Sequence, residues 1–524
     1  MKSLIRLALA CVAAWNLAHA EAAEQAAAVN IAGLFRDNMV LQRDMELPVW
    51  GGGKKGEKVT VEFVGVSKTT EVDETGKWMV KLGSFPAGGP HKMKITQGSA
   101  SATLKNIMVG EVWICSGQSN MQWDLKTLKK NSAPDAENEI ANAKYPDIRF
   151  ITIVGTAGSR QQGIPCASLA WRECSPDTAG DLSAVAYFFA RELQKTLNVP
   201  IGLIVTAQGS SAIRSWISAE AMNANPIFKE TLEDYKSVPE RKKAYDEKRA
   251  AYEAALAKSK ADGTNPPPGP GSFEADTYPG PFFYGRVYPL APFAMRGVLW
   301  YQGEADASNF ANTPRSGPAG LTNHSLTYKD FFPVMISEWR SLWGYDFPFL
   351  YVQLAPGGGL QKDPVESSWA EVRDAQRQTL KVKNTAMVVT TDICDADLHP
   401  RKKVDVGKRL ALSARAIAYG ETLIYSGPIF EKAEFQDGKV TISFTHTAGG
   451  LMARDGQLKG FSVAGTDRKF VWADAEIRGD TVVVSSAQAP DPKAVRYAWA
   501  ENPIGNLFNK EGFPASCFRT DDWR

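Results

Sequence analysis

The sequence predicts an α/β protein whose central, largely parallel sheet is flanked by a β domain on each side. Three observations predict it. Between residues 106 and 424, short apolar runs rich in β-branched and aromatic residues alternate with helical periodicity. Residues 29–105 and 425–524 instead carry short alternating strands separated by Gly and Pro turns, the pattern of β-sandwich-like domains. Finally, the apolar runs of the middle region end abruptly in small or polar residues, as buried strands do at the edge where open α/β sheets bind their ligands.

Taken in order, residues 1–20 read as a signal peptide. Lys2 and Arg6 supply the positive end, Leu7 to Trp15 the apolar stretch, and Ala18-His19-Ala20 the cleavage site, which predicts an exported, periplasmic or extracellular protein. A lipoprotein reading through Cys11 is weaker, because the apolar run before it is short and Ala8 stands where leucine is usual. Val59–Phe63 and Lys77–Leu82 read as strands of the first β domain. The stretch Val112-Trp113-Ile114 opens the central sheet, and Ser183 caps a helix running to Leu197. Further strands are expected at Ile201–Thr206, Gly297–Trp300, Phe349–Leu354 and Ala386–Thr391. Residues 227–271 form a Lys/Glu/Ala-rich helical insertion that ends in a Pro-rich loop, its charges reading as a solvated face. Val440–Phe444 and Thr481–Ser485 belong to the last domain.

Composition narrows the function. Sixty basic against 58 acidic side chains leave no nucleic-acid footprint. After the leader no run approaches the 18 apolar residues of a membrane span. Five cysteines remain once Cys11 is removed, an odd number, with Cys166 and Cys174 the pair best placed to bridge. There is neither a CxxC pair nor a Cys/His cluster, so no metal or other cofactor is expected.

The chemistry centres on Gly110-Glu111-Val112-Trp113-Ile114-Cys115-Ser116-Gly117-Gln118-Ser119-Asn120-Met121, where a strand delivers Ser119 to a tight loop. A serine hydroxyl attacks only if a base takes its proton and donors receive the oxyanion. Four histidines remain after the leader. His91 and His446 lie in the β domains and His324 in a polar loop, whereas His399 follows the strand-like run 386–391 and is therefore the base. In extended chain, residues two apart share a side at roughly 6–7 Å, so Asp397 can meet His399 while Asp395, at roughly 13 Å, cannot without a bend. Gly209, past the strand 201–206, can offer a backbone N–H to an oxyanion. Gln302 and Glu304 bring an amide and a carboxylate to another strand end.

These residues carry a family resemblance over nearly the whole chain after the leader. Met39-Val40-Leu41-Gln42-Arg43, Gly76-Lys77-Trp78, Gly110 through Met121, Phe188-Phe189, Trp300-Tyr301-Gln302-Gly303-Glu304, His399-Pro400 and Gly407-Lys408-Arg409-Leu410 resemble the sialate O-acetylesterase family of the SGNH hydrolases. The resemblance implies a flavodoxin-like SGNH domain, Ser119 as nucleophile, His399 as base and Asp397 as its acid. It also implies an oxyanion hole from the Ser119 and Gly209 N–H groups and the Gln302 side chain, with Glu304 a second candidate for the acid. Gly209-Ser210-Ser211, Glu304-Ala305-Asp306 and Phe283-Tyr284-Gly285 depart from the family's usual pattern where substrate would be read. The expected function is an exported serine esterase that removes O-acetyl groups from carbohydrate, foremost O-acetylated sialic acid, with acetyl xylan esterase the alternative. A non-catalytic carbohydrate-binding protein is the reading from another class. No motif specifies an oligomeric state.

Overall fold

The computed structural model describes residues 29–133, 135–154, 170–265, 267, 269, 278–307, 324–393, 395 and 397–523. Residues 1–20, which read as a signal peptide, therefore lie outside the described residues. The central sheet contains β1 (Ala100–Gly117), β2 (Tyr145–Thr152), β3 (Arg172–Cys174), β4 (Ile201–Ala207), β5 (Gly297–Tyr301), β6 (Phe349–Val352) and β7 (Thr385–Val388). Its order is β7-β6-β5-β1-β4-β2-β3, parallel except for the pairing of β3 with β2. Setting aside the edge pair β2 and β3, the five strands run second-first-third-fourth-fifth, the order of flavodoxin-like sheets.

Alternate residues of each strand point to opposite faces and build two separate cores. Trp113, Cys115, Leu203, Leu299 and Tyr301 face helices α2 (Ala184–Leu197) and, later in the chain, 403–417. Val112, Ile114, Val298, Trp300 and Tyr351 face α3 (His324–Trp343) and α4 (Ser368–Thr379). The 403–417 helix, Lys403–Ile417, is α5. Ser183 caps α2 as expected, its Oγ accepting from the Ala186 N–H at 3.3 Å. His324 opens α3, where a polar loop is expected.

The domain boundary expected near residue 105 falls inside β1. The first half of that strand alternates between exposed and half-buried and pairs with Gly88–Gln97, while from Ile107 to Gly117 every residue is buried. The strand changes partners without a turn, so nothing in local chemistry marks the border. Leu34, Val59, Val61, Trp78 and Ile95 of the N-terminal strands share one apolar cluster with Val112, Trp300 and Phe332.

In the insertion, Lys229–Lys236 and Val238–Asp262 are helices, the second largely exposed. Its base is pinned by a buried Arg214–Asp234 pair at 3.0 Å and by the Phe228 ring against Phe331. The last region forms two four-stranded antiparallel sheets around Val440, Ile442, Phe461, Val482, Val484 and Phe518. Arg373 of α4 anchors it, donating to the Ala500 and Glu501 carbonyls at 2.6 Å each.

Cys174 is a buried thiol, pushed up to about 12 by burial, and its expected bridge partner Cys166 lies outside the described residues. Cys174 closes a strand facing the core rather than lying in a loop. Among the described residues no helix is long and apolar enough to cross a membrane.

Where β1 enters the central sheet, the fully buried Glu111 carboxylate accepts from Arg43 at 2.5 Å, Arg296 at 2.8 Å and Gln42 at 3.1 Å. This cluster ties the N-terminal region to the sheet, and removing the anion leaves two cations facing each other. Glu111→Ala should therefore destabilise the fold by about 3 kcal/mol, the low end for a broken buried pair because both arginines reach solvent. Denaturant unfolding followed by tryptophan fluorescence checks it.

Candidate active site

Gly117 ends β1 with φ +132, and a Cβ there would lie 2.2 Å from the Tyr301 carbonyl oxygen, so only glycine fits between β1 and β5. The chain then turns. Gln118 donates its N–H to Tyr301 O at 2.9 Å, and its Oε1 accepts from the N–H groups of Gly303 and Ala305 at 3.3 and 3.2 Å. A single helical turn, Ser119–Gln122, follows, with Ser119 half-exposed at its first position. The N–H groups that open such a turn have no acceptor within it and point outward.

His399 approaches from the loop after β7. Its Nε2 stands 2.8 Å from Ser119 Oγ, within reach for proton transfer. The imidazole stacks on Trp123 at 4.3 Å between centroids and 15° between planes. Burial, then the nearby Lys403 cation, lowers the His399 pKa, while Asp397 pulls the other way. A neutral ring able to accept a proton is the result.

Asp397 is exposed, and its Oδ1 accepts the backbone N–H of His399 at 3.0 Å. Among the described residues no hydrogen bond joins it to the ring, which differs from the direct ring contact expected. The loop turns at Leu398, so the two-residue spacing brings the carboxylate to the main chain. Asp395 is engaged with Arg401 at 2.7 Å. Glu304 is buried and its Oε1 accepts from Asn120 Nδ2; among the described residues no hydrogen bond joins it to the His399 ring. Burial raises its pKa.

The expected oxyanion donors are placed unequally. Gly209 lies beside the nucleophile, where a Cβ would meet Ser119 Cβ at 3.6 Å, and its N–H donates to the Gln122 Oε1 at 2.7 Å. Gln122 is exposed, so this partner can be exchanged. Gln302 is turned inward and completely buried. Its Nε2 donates to Ser211 O at 3.0 Å and Asp306 Oδ2 at 2.6 Å, while its Oε1 accepts from Tyr328 at 3.0 Å. Both amide hydrogens are thereby used inside the protein, which differs from the free side-chain donor expected for the oxyanion. Asp306 Oδ2 also accepts from the Ile213 N–H at 2.9 Å, so Asp306 ties this turn to the 213–216 segment.

Several residues beside the site escape a reading of the sequence. Trp123, Gln122 and Asn120 lie in or beside the quoted serine motif with no spacing that marks their roles. Lys403, at the start of α5, is completely buried. Arg286 reaches the Ile153 and Ala207 carbonyls at 3.1 and 3.0 Å and Gln208 Oε1 at 2.6 Å, steadying the Gly209 turn. Among the described residues no group of histidine, cysteine and acidic side chains is placed to hold a metal ion.

Gln302→Ala is expected to act on stability, because Asp306, Ser211 and Tyr328 each lose a partner and a buried unsatisfied polar group costs about 1–3 kcal/mol. Thermal unfolding alongside ester kinetics checks it. A fall in kcat at unchanged stability would return the amide to the oxyanion.

Residues 286–416, which include Gln302, Glu304, Asp397 and His399, match the family described as carbohydrate esterase, sialic acid-specific acetylesterase. The chain is 27% identical to the human sialate O-acetylesterase and 29% to that of Mus musculus, in each case over 516 aligned residues and 90% of this chain, covering 88% and 89% of those proteins. Its structure is similar to that of a carbohydrate acetylesterase from Xanthomonas citri, with a TM-score of 0.76 and 33% identity over 94% of this chain and 99% of that one.

Proposed function

Because the chain belongs to the sialic acid-specific acetylesterase family of carbohydrate esterases, we propose that it is an exported SGNH-type serine esterase that removes O-acetyl groups from sialic acid. The observation that carries this reading is the 2.8 Å approach of His399 Nε2 to Ser119 Oγ at the ligand edge of the sheet. The leader-like residues 1–20 support export, and the names of the mammalian relatives support the sugar.

In this reading His399 takes the Ser119 proton as Oγ attacks the acetyl carbonyl. The oxyanion is received by the outward N–H groups at the start of the Ser119 turn and by the Gly209 N–H, from which it displaces the Gln122 carboxamide. As the bond from the acetyl carbon to the sugar oxygen breaks, the imidazolium, held against the Trp123 face, gives its proton to that oxygen, which leaves as the sugar hydroxyl. Acetyl-Ser119 is then hydrolysed by water with the same base. Asp397 stabilises the imidazolium by its charge and holds the loop by its bond to the His399 main chain.

Ser119→Ala should keep the fold and lose activity on the order of 10⁶-fold. Acetate release from O-acetylated sialic acid and from acetylated xylan, measured side by side, tests the substrate; faster release from xylan overturns the sialate assignment and leaves the esterase chemistry standing.

Asp397→Asn should lower kcat by much less than the ~10⁴-fold seen when a carboxylate holds the catalytic ring directly. Steady-state kinetics on p-nitrophenyl acetate measures the difference. A full loss of that size would mean that Asp397 reaches the ring during turnover.

A further inference from the structure

Beneath the Ser119–His399 pair runs a buried chain of polar side chains that the hydrolytic steps do not use. Lysine is rarely fully buried, yet Lys403 is. Its Nζ donates to Asn120 Oδ1 and stands 5.1 Å from the centre of the Tyr301 ring. The same amide then acts in two further directions: Asn120 Nδ2 donates to Glu304 and to the Leu398 carbonyl, the latter at 3.1 Å. Asn120 directly follows the nucleophile and Leu398 directly precedes the base. One side chain therefore joins the turn of Ser119, the turn of Glu304 and the loop of His399.

We propose that Lys403, Asn120 and Glu304 are positioning residues forming one buried cation–amide–carboxylate unit, which sets the reach of His399 to Ser119 and keeps a positive charge beside the base. The proposal rests on Ser119 and His399 being the catalytic pair.

The electrostatics agree with the placement. An isolated buried ammonium is costly, and here it has an opposite charge one amide away. Burial pushes Lys403 down to about 7, against the pull of Glu304, Asp395 and Asp397, which are the carboxylates acting on it. His399 in turn feels the Lys403 cation and the Asp397 anion. Removing the cation should raise the His399 pKa, so activity should be lost at a higher pH as the solution is acidified. A contribution to folding alone would leave that limb where it is.

The test is Lys403→Met, with p-nitrophenyl acetate kinetics across pH and labelling of Ser119 by a fluorophosphonate. Expected are a kcat lower by roughly 10²-fold, the cost of a misplacement of about 1 Å, an unchanged KM, and an acid limb of kcat/KM moved to higher pH. An acid limb or a kcat equal to wild type in a folded variant overturns the proposal. If the single variant does not fold, Lys403→Met combined with Glu304→Gln removes both charges and restores neutrality, and wild-type kcat in that double variant is likewise fatal to it. Wild-type protein that the fluorophosphonate does not label at Ser119 instead refutes the catalytic pair itself, which separates the two failures.

Discussion

At Gly117 two neighbouring strands come so close that no side chain fits between them, and the whole site is built outward from that contact. Because the Gly117 backbone lies against Tyr301, the next residue can bond to the Tyr301 carbonyl and send its amide across to Gly303 and Ala305. The Gln208 N–H bonds back to Gly117 O from the other neighbouring strand at 2.9 Å. Three strand ends are thus locked at one point, and Ser119, Gly209 and the Glu304 turn inherit their relative positions from it. Preorganisation of this kind lets short, exposed side chains act without being reordered during reaction.

The strand itself is held by charge at both ends. Below, Glu111 collects two arginines; above, Lys403 answers Glu304 through Asn120. Between them Val112, Trp113, Ile114 and Cys115 form an apolar run whose side chains are placed by burial on both faces. The two polar clusters supply register where the apolar interior supplies only attraction. A parallel strand buried on both faces has no amphipathic alternation to fix its position, so side-chain networks at its ends carry that specificity.

Much of this was legible in the sequence because strands buried on both faces announce themselves as continuous apolar runs. β4, β5, β6 and β7 lie within or beside the expected segments, and the scarcity of histidine singled out His399. What stayed hidden depends on direction rather than identity. Gln302 stands at a strand end as foreseen, yet its amide is turned inward to Asp306 and Ser211, and no periodicity tells which way a side chain leaves a loop. Lys403 begins an amphipathic helix, where lysine ordinarily meets water, and only the folded neighbourhood reveals the buried carboxylate nearby. Asp397 shows the limit of spacing arguments: two residues apart places groups on one side only while the chain stays extended. The border at residue 105 was invisible because β1 crosses it as one unbroken strand.

That same strand imposes an order of events on the making of the protein. Ser116 bonds to Thr206, 90 residues further along, and Gln118 to Gly303, 185 residues further along. During synthesis the segment carrying the nucleophile emerges early, yet its apolar half gains one flanking strand only some 90 residues later and the turn after it gains Gly303 only 185 residues later. Contacts so distant along the chain are slow to form, and apolar strands waiting for them are exposed to wrong pairings. The arrangement that makes Ser119 rigid in the finished molecule thus makes its organisation wait for distant segments, and an incomplete chain carries the nucleophile without the means to use it.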